Sequence, residues 1–437
     1  MKVLSADWLL PVEGEPIERG ALAIENGRIA AVGTIDELGA GVHYPDAAIL
    51  PAFVNAHAHL EYAVYAGFGD GLSFGPWLSL HVERKRRLER ADMEAVARLG
   101  AAECLRSGIA TVGDLAFSGA SAHACAQLGL RAIVYLEVFG EDADDALRQF
   151  EEKREYAAPA VSDRVQLGVS PHAPYTCSTE VYAACAGLGL PVATHLNESA
   201  DELDWLLRGE GPWQAVGDLL VDPDGQSGIR RLSAAGLLDE RVVAAHCVKV
   251  DDDEIRLLAE HGVAVAHCPR SNALLGCGVA PLEALRAAGL RVGVGTDGVS
   301  SVPSHDMFEE LRTTISLARA RSERAAAISA HEALDLATLG GARALGLDEE
   351  TGSLVPGKRA DVAIVNLSGS PYLPWEDPAA AVVYGGSPER VTATLVDGQT
   401  RYERGAFEWH ELIDAASAAR GRMLARPPVS ASASGKP

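Results

Sequence analysis

Short apolar runs alternate with amphipathic stretches along the middle of the chain, between about residues 52 and 350. Runs of this length, bounded by turn residues, are typical of buried parallel strands. The runs lie at residues 52–57, 109–114, 131–138, 165–170, 191–195, 242–246, 263–267 and 291–297. Between them lie clear amphipathic helical patterns, for example at residues 92–107 and 251–261.

Eight β/α units in about 300 residues predict a (β/α)8 TIM barrel with insertions. A doubly wound parallel sheet is the alternative for such an alternating pattern. That fold favours a Gly-x-Gly-x-x-Gly turn after its first strand, and no such turn occurs here. The pattern therefore favours a barrel of the α/β class.

The two ends of the chain carry hairpin patterns instead. Two apolar segments at residues 21–32 flank an Asn-Gly pair, and two at residues 391–402 flank an Asp-Gly pair. Both pairs favour type I′ turns. A further apolar run at residues 360–365 predicts another buried strand.

We therefore expect a small β-sandwich domain built from residues 1–51 and 352–408, with the barrel, residues 52–351, inserted between them. Residues 409–424 predict a C-terminal helix. Residues 425–437, rich in Pro and Ser, predict a disordered tail.

Composition narrows the class of protein. The chain has 437 residues, 48% of them hydrophobic, and no apolar run of membrane-spanning length, so we expect a globular protein. Its first residues lack a signal-peptide pattern, which predicts a cytoplasmic location. A net charge of -23 argues against nucleic acid and anionic membranes as partners. Seven scattered cysteines without a Cys-x-x-Cys pair predict reduced thiols.

Metal-binding side chains recur where the predicted strands end. The first strand ends in His57 and His59, which share one face because side chains alternate along a strand. Later strands end at His195, His246, His267 and Asp297. A single histidine of this kind is usually structural, but in a barrel all these ends converge on one mouth. The joint pattern therefore favours a metal site.

The sequence resembles the amidohydrolase superfamily, in the branch that contains cytosine, guanine and adenosylhomocysteine-type deaminases and triazine hydrolases. The motifs that carry the resemblance are LPAFVNAHAH at 50–59, THLNE at 194–198, HCPRSN at 267–272, GTD at 295–297 and GSLVPGKRAD at 352–361. They extend over nearly the whole chain.

This resemblance implies a role for each strand-end residue. One divalent metal, zinc in the first place and ferrous iron as the alternative, would be held by His57, His59, His195 and Asp297. Protons and substrate would be handled by Glu198 and His246. The pocket would be lined by His172 and His267.

The chemistry of these residues agrees with the implied roles. Three histidines and one aspartate can hold zinc or ferrous iron and leave room for a water of lowered pKa. We expect this water to attack an amidine-like ring carbon while Asp297 takes its proton. Glu198 would protonate a ring nitrogen and the departing ammonia. His246 would polarise the oxygen of the intermediate.

A single metal is expected. Members of the superfamily with two metals use a carboxylated lysine near the fourth strand, and residues 165–170 contain no lysine. Lys153 lies in the charged run 151–155, which predicts a solvated helix face.

The loop after the first strand contains two candidates for stacking on a planar substrate ring, Phe74 and Trp77. Packing of that loop on the barrel explains them equally well. The FGPW and HCPRSN motifs together most resemble aminodeoxyfutalosine deaminases of menaquinone biosynthesis. Those enzymes remove the 6-amino group of an adenine nucleoside analogue that bears a benzoate.

Arg270 is the candidate partner for such a carboxylate. Residues 83–90 predict a solvated helix face, so the arginines there are weaker candidates, namely Arg84, Arg86 and Arg87.

The leading hypothesis is hydrolytic deamination of a small heterocyclic amine, with aminodeoxyfutalosine first and guanine, cytosine, oxidised purines or adenosine as alternatives. A triazine-type hydrolase that releases chloride is a second hypothesis, but Glu198 favours ammonia because chloride needs no general acid. A non-catalytic barrel is the third, and it is disfavoured because all four candidate ligands are present. Barrels of this branch are often homodimers, so a homodimer is possible.

Overall fold

The computed structural model describes residues 1–213, residue 216 and residues 219–425. The predicted disordered tail lies outside the described residues, apart from its first residue.

The strands of the described chain form two sheets. In chain order they are β1 (Lys2–Leu9), β2 (Ile17–Glu18), β3 (Gly20–Glu25), β4 (Arg28–Thr34), β5 (Val42–Pro51), β6 (Phe53–His59), β7 (Ile109–Ala116), β8 (Arg131–Val138), β9 (Val165–Pro171), β10 (Val192–Leu196), β11 (Val242–His246), β12 (Ala264–His267), β13 (Arg291–Val294), β14 (Asp297–Gly298), β15 (Val362–Asn366), β16 (Val391–Val396) and β17 (Gln399–Glu403).

Helices follow most of the strands. In chain order they are α1 (Ile35–Leu38), α2 (Phe74–Lys85), α3 (Arg90–Arg106), α4 (Ala120–Leu128), α5 (Ala143–Ala157), α6 (Thr179–Gly187), α7 (Ala200–Arg208), α8 (Gly228–Ala234), α9 (Asp252–Glu260), α10 (Pro269–Leu274), α11 (Leu282–Ala287), α12 (Met307–Ser322), α13 (Ala330–Leu336), α14 (Leu339–Leu345), α15 (Pro378–Gly385) and α16 (His410–Leu424). Among the described residues, no helix has the length and apolar character needed to cross a membrane.

Strands β6 to β13 pair in parallel, each with the next along the chain. The last barrel strand is interrupted after β13 and resumes as β14, which pairs in parallel with β6. This pairing closes the sheet into a barrel and sets Asp297 opposite Ala58. The predicted (β/α)8 barrel is confirmed, and each of its eight predicted strands is present.

The barrel is filled from the amino ends of its strands. Helix α14 contributes Ala342, Ala344 and Leu345 to the same buried cluster as the inward-facing Val54 and Tyr135. This packing closes the barrel at the amino ends of its strands. A binding site can therefore form only at the carboxyl ends.

The second sheet takes strands from both ends of the chain, in the order β17-β16-β15-β5-β1-β3-β4, with β2 beside β1. Side chains alternate across it, as expected for strands. In β5, Ala47 and Ile49 join the core of the small domain, whereas Ala48 and Leu50 join the cluster that packs around the barrel. A second sheet domain built from both chain ends is therefore confirmed, as one continuous sheet where two packed sheets of a sandwich had been expected. Its bounds at residues 1–51 and 352–408 stay a prediction.

Both predicted hairpins are present and turn where the sequence indicates. Asn26 and Gly27 have φ of 51° and 78°, and Asp397 and Gly398 have φ of 50° and 70°. Positive φ at both central residues is the signature of a type I′ turn.

Candidate active site

Four candidate ligands meet at the carboxyl end of the barrel. His57 and His59 end β6, His195 lies near the end of β10, and Asp297 begins β14. The Oδ1 atom of Asp297 lies 3.4 Å from His57 Nε2 and 3.5 Å from His59 Nε2. The Nε2 atoms of His59 and His195 are 3.3 Å apart.

These separations fit a tetrahedral metal site. Four ligand atoms at zinc-bond lengths of about 2.0–2.1 Å lie about 3.3 Å from one another in that geometry. The His57 Nε2 atom is buried and finds no hydrogen-bond partner among the described residues. This is expected of a nitrogen that binds a metal ion. The donor set therefore fits one divalent cation.

Backbone carbonyls orient two of the histidines. The Nδ1 atoms of His59 and His195 lie 3.0 Å from Leu115 O and 2.7 Å from His172 O. A carbonyl only accepts, so each Nδ1 carries the proton and Nε2 keeps its lone pair for a metal. Burial lowers the pKa of His195 to about 3, and neighbouring histidines add to the effect. Both rings are therefore neutral, as ligands must be.

The carboxylate of Asp297 is fixed from several sides. The Oδ2 atom accepts hydrogen bonds from the hydroxyls of Ser271 at 2.6 Å and Ser301 at 2.8 Å. Although burial raises its pKa, the surrounding histidine rings, His57 first among them, hold the pKa of Asp297 well below its ordinary value. Asp297 is therefore ionised, and its φ of 61° places it in a left-handed conformation that is uncommon for a residue with a side chain.

Glu198 lies beside this cluster and is only 4% exposed. Burial, with the charges of Asp297 and Glu202, raises the pKa of Glu198 well above its ordinary value. The carboxylate of Glu202 holds this segment by accepting from the backbone N–H groups of Asn197 at 3.0 Å and Glu198 at 2.7 Å. The Glu198 side chain is thus held in place and can act as a proton donor.

His246 ends β11 and completes the polar group. Its Nδ1 atom lies 2.9 Å from the Asn272 side-chain amide and 3.7 Å from Glu198 Oε1. Burial lowers the pKa of His246 to about 4, so the ring is neutral. Its φ of 71° is a strained conformation of the kind that persists at functional sites.

A cavity of about 1260 Å³ opens over this cluster. Its walls include His59, His195, Glu198, His246 and Asp297. Three of the predicted substrate-contact residues also line it, namely Phe74, Trp77 and His172.

The sequence pattern suggested that Phe74 and Trp77 lie in a loop. In the structure they belong to helix α2. Trp77 is held in place by a 3.1 Å hydrogen bond from Nε1 to the carbonyl oxygen of Ser300. The segment folds as a helix because residues 74, 77, 78 and 81 lie on one face that packs inward, and Pro76 lies in the first turn, where proline is tolerated. Both aromatic rings pack in the helix interface and also border the cavity.

The structure contradicts the contact expected of Arg270. Its buried guanidinium donates to Glu310 Oε1 at 2.5 Å, Glu309 Oε2 at 2.6 Å and Ser304 O at 2.6 Å. The N–H groups of Arg270 therefore hydrogen bond within the protein, and Arg270 is not part of the described cavity wall. His267 is also buried, and it is not among the residues that line the described cavity.

Three charged or titratable residues of the cavity wall that the structure brings near the metal cluster were not identified by the sequence analysis. His81 and Lys85 follow Trp77 at helical spacing on α2, and Glu137 interrupts the apolar run of β8. Helical spacing from Trp77, and a charge near the end of a buried strand, were the available signals. Lys153 is likewise not on a solvated face: its Nζ donates to Glu137 O at 2.6 Å, since a lysine stem can extend across apolar surface.

Comparison with known proteins identifies the family. Residues 48–401 match the model of the amidohydrolase family. The chain belongs to this family. It is 36% identical over 425 residues to a 5-methylthioadenosine/S-adenosylhomocysteine deaminase of Moorella thermoacetica, covering 92% of this chain and 95% of the relative. It is 33% identical over 405 residues to a 5'-deoxyadenosine deaminase of Methanothermobacter thermautotrophicus, covering 90% and 91%.

A solved structure shows the same fold. The crystal structure of an adenosine deaminase from Xanthomonas campestris with bound zinc has a TM-score of 0.87 and 30% identity, covering 96% of this chain and 98% of that one. The expectation of an enzyme of the amidohydrolase type is therefore confirmed.

Proposed function

We propose that this amidohydrolase is a metal-dependent hydrolytic deaminase of an adenine nucleoside modified at its 5′ position. The observation that carries the proposal is the cluster of three histidines and one aspartate, with the buried Glu198, whose pKa is raised, beside it on the cavity wall. The similar enzymes named for 5-methylthioadenosine, S-adenosylhomocysteine and 5'-deoxyadenosine support the substrate class.

One metal would be held by His57, His59, His195 and Asp297, and the spacing of their donor atoms supports this set. A divalent metal held by such ligands supplies a water of lowered pKa, and zinc is our first choice, with ferrous iron as the alternative.

The chain's own groups move the protons. Asp297, ionised and next to the histidines, takes the proton of the attacking water. Glu198 gives its proton to the ring nitrogen next to the reacting carbon. The proton that Asp297 has taken passes to the amino group, which departs as ammonia, and the remaining hydroxyl proton restores the Glu198 acid. His246, whose Nδ1 donates to Asn272 Oδ1, is left with an Nε2 lone pair, which would accept a hydrogen bond from the attacking water and orient it.

The cavity also suits the proposed ring. Trp77 and Phe74 offer aromatic surface for an adenine, and His172 offers a polar contact on the same wall. Small-molecule sites occupy roughly 300–1,000 Å³, so a cavity of 1260 Å³ leaves room for a substituent on the sugar.

As the specific substrate we propose aminodeoxyfutalosine, which would place the reaction in menaquinone biosynthesis. Three cations border the cavity, and one of them would meet the benzoate in place of Arg270, namely Lys85, Arg86 or Arg148. Aminodeoxyfutalosine, S-adenosylhomocysteine, 5-methylthioadenosine and 5′-deoxyadenosine should be compared by kcat/KM for ammonia release. We expect the first to exceed the others by at least about tenfold, or 1.4 kcal/mol. Preference for one of the others would replace the substrate and keep the class.

A further inference from the structure

Glu137 and Lys85 approach the cavity from two different elements. Glu137 lies near the carboxyl end of β8, and Lys85 ends helix α2. Both line the cavity that contains the metal cluster. Neither residue has a part in the proton transfers described above.

The Glu137 carboxyl group is unusually placed. The residue is 1% exposed, and its Oε2 atom has no hydrogen-bond partner in the described part of the chain. Burial raises its pKa, while the charges of Lys85 and Lys153 oppose that rise. A buried carboxyl oxygen without a partner is costly, so such a group in a cavity wall is explained best by a ligand that hydrogen bonds to it.

Lys85 is the complementary donor. Its Nζ atom lies 3.8 Å from the centroid of the Phe117 ring and 3.4 Å from the Tyr62 hydroxyl. Within the described residues it forms no ion pair with Glu137 within 4.0 Å. An acceptor and a donor thus face one cavity, and their charges act on each other without a direct ion pair between them.

A second metal is a poor explanation of this arrangement. Donor atoms of Glu137, His172 and His195 lie within 4.8 Å of one another. However, His195 uses Nδ1 to donate to the His172 carbonyl oxygen, and its Nε2 faces His59 in the first cluster. His195 therefore has no lone pair left for a second ion.

We propose that Glu137 and Lys85 form a subsite for the 2′ and 3′ hydroxyls of the nucleoside sugar. A hydroxyl both donates and accepts, so it can donate to the Glu137 carboxylate and accept from the Lys85 ammonium. A vicinal diol supplies two such groups, and both side chains line the same cavity. This inference rests on the proposed nucleoside substrate and adds the residues that select the sugar.

The test compares 5′-deoxyadenosine with its 2′-deoxy and 3′-deoxy counterparts, on the metal-loaded wild type and on Glu137→Gln and Lys85→Met. Hydrogen bonds to charged groups are worth about 1.5–3 kcal/mol. We therefore expect the wild type to lose about 10- to 100-fold in kcat/KM when one hydroxyl is removed. In each variant this loss should shrink to less than about threefold.

A binding measurement separates recognition from turnover. The Kd of purine riboside, which has no amino group to release, and of its 2′-deoxy counterpart is measured by calorimetry on the same proteins. The control is Glu83→Gln, an exposed position on the same helix, which should keep the wild-type hydroxyl preference. Metal content and melting temperature are recorded for each variant.

Equal kcat/KM for ribo- and deoxynucleosides in the wild type would overturn the subsite and leave deamination standing. An unchanged hydroxyl preference in a folded Glu137→Gln protein would also overturn it. If the wild type neither deaminates nor binds any nucleoside, the proposed function itself fails. Because the wild-type comparison needs no variant, poor folding of either variant leaves the proposal open to refutation.

Discussion

Replacement of Glu198 by glutamine should nearly abolish deamination. Glutamine keeps the size and an N–H donor of the protonated acid, but it cannot release a proton. The structure gives Glu198 this role because its carboxyl is buried, has a raised pKa and lies beside the candidate metal ligands. General acid catalysis contributes about 10²- to 10⁴-fold, so kcat should fall by that factor, or about 3–5 kcal/mol, with KM changed little.

The assay is steady-state ammonia release from the best nucleoside substrate, with metal content measured on the same preparation. Glu210→Gln, at an exposed position after the next helix, is the matched control and should behave as wild type. If the Glu198→Gln protein keeps its metal and turns over within about threefold of wild type, Glu198 is not the acid. The leaving group would then be one that needs no proton.

Three other changes test separate parts of the site. Ser271→Ala removes the 2.6 Å hydrogen bond to Asp297 and should weaken metal binding about 10- to 100-fold in a chelator competition, whereas unchanged affinity would contradict its role. Arg270→Ala leaves buried Glu310 unpaired and should lower the free energy of unfolding by about 3–5 kcal/mol in denaturant titrations, without a change in KM for a carboxylate-bearing substrate. Burial lowers the pKa of Lys85 to about 8, so its ammonium loses its proton above that pH, and KM for a ribonucleoside should rise there. The charged and titratable groups that face it are Glu137, Lys153, Glu61, Arg86 and Tyr62. Lys85→Arg stays charged and should remove the rise; a rise that persists would contradict the assignment to Lys85.

The regular parts of the fold could be predicted because they depend on local pattern. Buried parallel strands read as apolar runs, so all eight barrel strands were found within a few residues. The strand ends gave six candidate residues, since parallel strands in a barrel carry their carboxyl ends to one mouth, and the family resemblance selected four of them as metal ligands. Residues that are far apart in the sequence but lie at strand ends are therefore expected to be close in space.

What could not be predicted depends on long-range contacts. Arg270 lies in a motif that predicts a pocket residue. Its guanidinium instead donates to Glu309 and Glu310, about forty positions away in the sequence. Glu137 and Lys85 are separated by about fifty positions and meet only because α2 lies over the barrel mouth. Sequence periodicity shows which face a side chain occupies on its own element, but not which partner that face meets.

The central claim is that one metal, held by three histidines and one aspartate, supports hydrolytic deamination. The most direct measurement is ammonia release from a 5′-modified adenine nucleoside while metal-free protein is titrated with zinc or ferrous iron. We predict that activity rises with added metal and reaches its plateau at one ion per chain. A plateau at two ions per chain, or no ammonia at any metal loading, would contradict the account.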